Sequence, residues 1–445
     1  MSGRTTPPPR PLGAGREVVR TPAPRIALPD APWWQRHCAL LARRAASLND
    51  PIAVARQHHQ RARVLRDELG DAEGARSAWR AALAAWPAHL PALLDLRDHA
   101  LVAGDETAAR EVFDRGVELL ARPGADRADA AEAFAFFLLV WLFRWPDEAR
   151  AARALRGLAA AGDPPGLGRR LAHLCLDEGE LASALRARLD GEDESARAAS
   201  AAELGQSLFD GGDAAEGEAL LLEAAGHDPL AAWLLLEHAA RAGDALECAR
   251  GLARVADRCE EGGAPALRFL AGELWEHALG DRRRAEGFYD AAGGGTLDAV
   301  IGLKRILAAA RLDPTTYAAT LADEAGSVED ARLFGVLTLR AAQRFAALGE
   351  TEKARRLAQR AADRWTEDPR PRRLLERAAW LDRRWTTLVP HLVAGTAPGT
   401  ARVLRAAVLE HALGDLPAAL GALGAFDDAS DRLLLRTRAR LVSDA

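Results

Sequence analysis

Lysine and asparagine are nearly missing from this chain. Among its 59 lysine and arginine residues only Lys304 and Lys353 are lysine, and Asn49 is the single asparagine. A GC-rich genome accounts for that bias without a functional reason. Aromatic residues make up only 5% of the 445 positions. Alanine, leucine and arginine dominate instead, and these lose little on entering a helix. The four cysteines are Cys38, Cys175, Cys248 and Cys259. None forms a C-x-x-C pair or stands at metal-ligand spacing from a helical histidine, so no zinc module is built and a reducing compartment fits best. A surplus of basic charge is missing too. The net charge is -5 and the isoelectric point near 6.2, whereas nucleic-acid binding needs a basic surface that displaces phosphate counterions. No nucleic-acid partner is expected.

Long apolar runs are also lacking. The longest, AAEAFAFFLLVWLF from Ala130 to Phe143, has fourteen residues with Glu132 inside it. About 20 are needed to cross a bilayer, so membrane insertion is not expected. The opening MSGRTTPPPRPLGAGREVVRTPAPRIALPD holds no apolar stretch of signal-peptide length. It is rich in proline and aperiodic, so residues 1–30 read as a disordered arm. A cytoplasmic protein is the expectation.

Signatures of catalysis are missing as well. The chain has no G-x-x-x-x-G-K-[ST], H-E-x-x-H or G-x-S-x-G motif and no kinase set. His58 and His59 are adjacent, which puts their rings on different faces of a helix. AAGGGTLD, from Ala291 to Asp298, follows no apolar strand and reads as a turn between repeats. The many carboxylates are spread along helical faces. No catalytic residue, cofactor or metal is expected.

What the chain does have is a beat. LGDAEGARSAWRAALAAWP, from Leu69 to Pro87, sets Ala75 five residues after Gly70, then Trp79, Ala82 and Pro87. The same setting recurs around Ala109, Ala184, Gly217, Cys248, Ala285, Ala354 and Ala419, each five residues after a glycine. Ala149, Ala319 and Leu388 fill the remaining rungs without a turn glycine. The anchors then step by 34, 40, 35, 33, 31, 37, 34, 35, 34 and 31 residues.

A unit of about 34 residues holds two helices and two tight turns. Glycine ends the first helix in a left-handed backbone. The next Asp, or Glu in two units, caps the second helix at its positive end. The anchor is small because the helices cross there; residues at +4 and +7 share its face. Proline at +12 stops the second helix. Cys248 sits at an anchor and reads as packing.

Gly70-Asp71, Ala75, Trp79, Ala82 and Pro87, and again Gly212-Asp213, Gly217, Leu221, Ala224 and Pro229, resemble the tetratricopeptide repeat (TPR). The resemblance covers about residues 50–430. It implies an all-α fold: an open right-handed α-solenoid, or superhelix, of about eleven antiparallel helical hairpins. The array is expected over 49–428. Residues 31–48 would be an N-terminal capping helix anchored by Trp33 and Trp34, and residues 429–445 a C-terminal capping helix.

The family's concave surface commonly takes a partner peptide or helix, and its first helices line that surface. Inner-facing residues are then expected 15, 11 and 8 or 7 positions before each anchor. In the Ala149 unit these are Phe134, Leu138, Trp141 and Leu142, while Ala133, Phe137 and Val140 face the packing side. That helix is apolar nearly all round, so it is either enclosed or a binding patch. Leu94 and Leu101 before it, and His173 and Leu176 after it, would extend a groove for an amphipathic helix. In the Leu388 unit the inner face carries Arg370, Arg373 and Arg377. Three guanidiniums on one ridge could take a carboxylate-rich segment, or form an ordinary solvated face with Glu376 and Asp382 nearby.

The resemblance therefore implies a non-enzymatic scaffold, or adaptor, with one or more protein partners and a place in a larger complex. Two other classes remain: a regulatory sensor of a peptide or nucleic acid, and an enzyme of helical hairpins closed into an α/α toroid.

Overall fold

The computed structural model describes residues 30–121, 139, 142–143, 167–175, 178–189, 194–211, 213–259, 264–293, 297–392 and 398–424, and all regular structure among them is helical. The expected N-terminal arm, most of the apolar run at 130–143, the Ala149 anchor and the expected C-terminal capping helix lie outside these residues. The chain divides into two compact units, Met1–Trp86 and Pro87–Ala445.

The first unit contains α1 (Ala31–Ser47), α2 (Pro51–Asp67) and α3 (Ala72–Ala85). Helix α1 packs on α2, and α2 pairs with α3 as a hairpin. The packing face of α1 is Cys38, Leu41 and Ala45. Trp33, expected to anchor this helix, is instead 42% exposed. Its ring stacks on His37 and meets Trp34 edge-on, because it lies roughly a third of a turn away from the buried stripe. Ala75 and Trp79 are fully buried, and the Arg66 guanidinium lies 5.5 Å above the Trp79 ring.

The second unit begins with α4 (Leu90–Ala103) and α5 (Glu106–Ala121). Then come α6 (Leu167–Cys175), α7 (Glu178–Leu189), α8 (Glu194–Gly211) and α9 (Ala214–Ala224). Next are α10 (Pro229–Ala242), α11 (Ala245–Ala256), α12 (Ala264–Glu273) and α13 (Arg282–Ala292). Helices α14 (Leu297–Ala309), α15 (Pro314–Glu324), α16 (Ala331–Ala347) and α17 (Thr351–Arg364) follow. The series ends with α18 (Arg370–Leu381), α19 (Trp385–His391), α20 (Pro398–Ala407) and α21 (Leu416–Leu423). From α8 to α19 each helix packs on the next in sequence, except that α14 packs on α12 rather than on α13, and this stretch is an α-solenoid of antiparallel hairpins.

One turn chemistry recurs. Asp105, Asp244, Asp281 and Asp415 cap second helices by accepting from the backbone N–H three residues on, at 3.0, 3.0, 3.1 and 2.9 Å. In the first unit Asp71 does the same at 2.8 Å. The residue before each cap, as at Gly243 (φ 76°), is left-handed. Three expected caps depart. Asp213 makes no side-chain capping bond to α9. Glu350 makes no side-chain capping bond, since its extra methylene carries the carboxylate past the N–H groups. Gly179 and Glu180 fall inside α7 rather than in a turn.

The anchors are buried at Ala109, Cys248, Ala285, Ala354, Leu388 and Ala419. The rung placed at Ala319 belongs at Tyr317. Asp313 caps α15, so the position four residues beyond the cap, which is Ala75 after Asp71, is here the buried Tyr317. Pro229, expected to stop α9, occupies the first position of α10 behind its cap Asp228, where a missing N–H costs nothing.

Two details of the turns carry stability. Arg383 has φ 54°, the one non-glycine residue with positive φ among those described. It stands where the other units have the turn glycine. Arg384 N–H donates to the Ala379 carbonyl (2.8 Å) and Arg383 N–H to that of Trp380 (3.0 Å), the same pair of bonds that closes the Gly104 turn. At the α8–α9 crossing, a Cβ on Gly217 would lie 2.9 Å from both the Gly205 carbonyl oxygen and the Phe209 backbone nitrogen.

Arg383→Gly is expected to raise the unfolding midpoint, by up to about 1 kcal/mol, because a left-handed L-residue costs roughly 1–2 kcal/mol and glycine gives part of it back in unfolded-state entropy. Gly217→Ala is expected to lower it by about 1–3 kcal/mol, against helix propensity, because the methyl meets backbone that cannot rotate away. Urea unfolding followed by circular dichroism reads both; a stabilised Gly217→Ala would refute the tight crossing.

Candidate functional site

The positions 15, 11 and 7 before the Cys248 anchor are Trp233, Glu237 and Arg241 on α10. Helix α10 packs not only on its sequence neighbours but also on α14 and α16, and α6 packs on α18. The inner faces of first helices from distant repeats therefore meet each other, and charged side chains fill the junction.

At its deepest point Arg340 of α16 is fully buried. Its Nε donates to Glu237 Oε2 at 2.8 Å, and its Nη1 and Nη2 donate to the two Asp210 oxygens of α8, each at 2.8 Å. Glu237 also accepts from Arg344 Nη2 at 2.7 Å and pairs with Arg241 at 2.5 Å. Burial pushes the Glu237 carboxyl up, but the charge and hydrogen bonds of Arg340, with the charges of Arg344 and Arg241, pull it further down, to about 2. Burial opposes the Arg340 cation in turn, and Glu237 and Asp210 hold its pKa well above the ordinary arginine value. Trp233 and Tyr317 are fully buried close by, with Arg241 5.4 Å above the Tyr317 ring.

A second row joins α18 to α6, α8 and α10. Arg370 Nη1 and Nη2 donate to the two oxygens of Asp228 at 2.7 and 2.8 Å, and Asp368 also accepts from this guanidinium. Arg373 donates to Glu203, whose other oxygen lies 3.1 Å from His173 Nε2. Arg377 donates to the His173 carbonyl at 3.3 Å. Arg170 of α6 donates to Glu376 of α18 at 2.6 Å. Burial raises the Glu376 pKa by more than Arg170 beside it takes back. A cleft of about 410 Å³ opens next to this row, with Arg332, Trp365 and Asp368 in its wall.

The residues singled out from the sequence fall as follows. Arg370, Arg373, Arg377 and His173 are brought together, all half-buried. Each guanidinium of the expected ridge is engaged by a group from another repeat. Leu94, Leu101 and Leu142 are half-buried; Phe134, Leu138, Trp141 and Leu176 lie outside the described residues. The part of the apolar run that is described is packed within the chain. Leu139 is fully buried, and the Phe143 ring lies 5.4 Å from those of both Trp380 and Trp385.

Asp210, Glu237, Arg340 and Arg344 were not singled out from the sequence. The inner-face offsets reach Glu237 and Asp210 directly and pass one residue from Arg340 and Arg344, so a search for charge at those offsets in every unit finds them. One hexapeptide, E-H-A-L-G-D, also recurs, at Glu276–Asp281 and at Glu410–Asp415. Both copies begin inside a π-helical turn, Leu274–Ala278 and Val408–Ala412. Among the described residues no group of His, Cys, Asp and Glu could hold a metal ion, and no helix is long and apolar enough to cross a membrane.

No family model and no curated protein matches the chain. Among solved structures it is similar to the TPR domain of P58(IPK), at 13% identity over 88% of this chain and 98% of that one, with a TM-score of 0.19. A score that low says nothing of how hairpins are arranged, so the fold rests on this chain's own caps, turns and crossings.

Glu237 gives the junction a pH signature. Its folded pKa lies below its ordinary value of 4.5. The stability it contributes is therefore full above about pH 4.5 and lost as the pH falls towards 2, on the order of 3 kcal/mol in all. Glu237→Gln should destabilise by about 3–5 kcal/mol at pH 7, since three arginines lose a buried partner. The gap from wild type should close as the pH falls through that window, in urea titrations at several pH values. A gap independent of pH would refute the assignment.

Proposed function

We propose that the chain is a non-enzymatic scaffold that holds a partner protein, as a peptide or amphipathic helix, on the inner side of its TPR-like array. The observation that carries this reading is the repeated capped hairpin with a small buried anchor. It sends second helices into packing and leaves the first-helix faces that other repeats do not already fill for other contacts. The first contact we assign to Phe134, Leu138, Trp141 and Leu142, flanked by Leu94, Leu101 and His173. Arg370, Arg373 and Arg377 form a second site. The net charge of -5 and the internal pairing of these arginines speak against a nucleic-acid partner. The protein is read as cytoplasmic and as part of a larger complex.

The test is affinity capture of the tagged full-length chain from its native host. It is run beside a Leu138→Ser/Trp141→Ser variant shown by circular dichroism to keep its helicity. A specific protein retained by the wild type and lost by the variant is the expected result. Equal capture of the same protein by both would overturn the assignment of the apolar wall.

A further inference from the structure

The first unit concentrates charge of one sign. Residues 1–86 hold fourteen arginines and seven carboxylates, a net of +7, whereas residues 87–445 hold 45 basic and 57 acidic residues, a net of -12. From the start of α1 to Arg66 in α2 there are seven arginines and a single carboxylate, Asp50. Asp50 is engaged at the cap of α2, where it accepts from the backbone N–H groups of Ile52 and Ala53. The residues before α1 continue the bias, with Arg4, Arg10, Arg16, Arg20 and Arg25 against Glu17.

Helix α1 itself contains no acidic residue. It packs on α2 through Cys38, Leu41 and Ala45. At 3.6 residues per turn, Trp33, Arg36, His37, Leu40, Arg43 and Arg44 fall within one arc of about 120° beside that stripe. Trp33 and Leu40 are 42% and 56% exposed, and Arg36, Arg43 and Arg44 are exposed with them. Among the described residues none of these three arginines forms an ion pair. Helix α2 adds exposed Arg56 and Arg63 and, in its first turn, exposed Ile52. A second copy of α1 would be repelled by this face, since the helix carries charge of one sign only. A nucleic acid would use the arginines but not Leu40. An anionic bilayer surface uses both: tryptophan sits at headgroup depth, leucine reaches the acyl boundary, and arginines meet the anionic headgroups.

We propose that the exposed face of α1 rests on an anionic membrane surface. Trp33 and Leu40 enter the headgroup region, and Arg36, Arg43 and Arg44 pair with the phosphates and carboxylates of the lipids. The helix lies on the bilayer and does not cross it, and its other face stays packed on α2. An anionic surface repels the net charge of residues 87–445, so attachment runs through the first unit. This goes beyond the scaffold reading and uses none of the residues assigned to a protein partner there.

The experiment is flotation of the purified full-length chain with vesicles of phosphatidylcholine, alone or mixed with phosphatidylserine, at low and at high salt. The forms compared are wild type, Arg43→Gln/Arg44→Gln, Trp33→Ser/Leu40→Ser, and Arg282→Gln/Arg283→Gln. The last removes the same charge from exposed positions on α13. Every substituted side chain is exposed, so the fold is kept, which circular dichroism checks. The wild type should float only with the phosphatidylserine vesicles and should be released at high salt, where the attraction is screened. Both α1 variants should bind those vesicles about tenfold or more weakly, and the α13 variant should bind as the wild type does. Three results overturn the proposal: no flotation with phosphatidylserine vesicles, a loss in the α13 variant equal to that in Arg43→Gln/Arg44→Gln, or undiminished binding by Trp33→Ser/Leu40→Ser, which would leave charge attraction alone. Oligonucleotide binding is read in parallel by fluorescence anisotropy. A chain that fails to float but binds oligonucleotides through Arg43 and Arg44 would assign the face to nucleic acid instead.

Discussion

A guanidinium with no contact to water must find its charge and hydrogen bonds inside the protein. Arg340 does so by holding Glu237 and Asp210 together, and much of the second unit is arranged around that requirement. The three residues belong to α16, α10 and α8, so satisfying one side chain fixes three repeats. Contacts between sequence neighbours alone would let a solenoid flex freely. The buried junction adds contacts between repeats that are not neighbours, and the mostly buried row on α18 adds more. Such pairs contribute little net stability over an apolar core; their effect is to penalise every arrangement that leaves a charge unpaired.

The hairpins themselves rest on a different device. At Asp71, Asp105, Asp244, Asp281 and Asp415 a left-handed glycine is followed by a capping carboxylate, which pairs the exposed groups at two helix ends within a few residues. Where the glycine is missing, at Arg383, the backbone takes the left-handed form regardless, because the Leu388 crossing and the two closing hydrogen bonds demand it. Where the anchor is large, at Tyr317, the cap still sets the frame and the ring is buried beside α10 and α16. At Arg383 the turn geometry is thus kept without the residue that usually encodes it, and at Asp313 the cap is kept without a left-handed residue before it.

For function, the relevant contrast is between inner surface that is already used and surface that is not. The arginines on α18 are engaged within the chain, and so are the described parts of the apolar segment near Phe143. The described inner surface therefore offers less free groove than the repeat number suggests.

The sequence by itself determined the hairpins. Gly-Asp turns, small anchors and the period near 34 residues are local patterns, and local hydrogen bonding decides them. It also placed Arg370, Arg373 and Arg377 on one ridge and gave the offsets at which Glu237 and Asp210 are found. It misplaced the rung at Tyr317, because alanine looked the better anchor until the Asp313 cap set the frame. It misread Trp33, because an aromatic at a helix start signals an apolar anchor wherever the buried stripe happens to run. Only the tertiary structure decided that Arg370 meets Asp228 and Arg340 meets Glu237. No local signal links residues more than a hundred positions apart; their meeting depends on the small rotation at each crossing, summed over several repeats, and no single repeat encodes that sum.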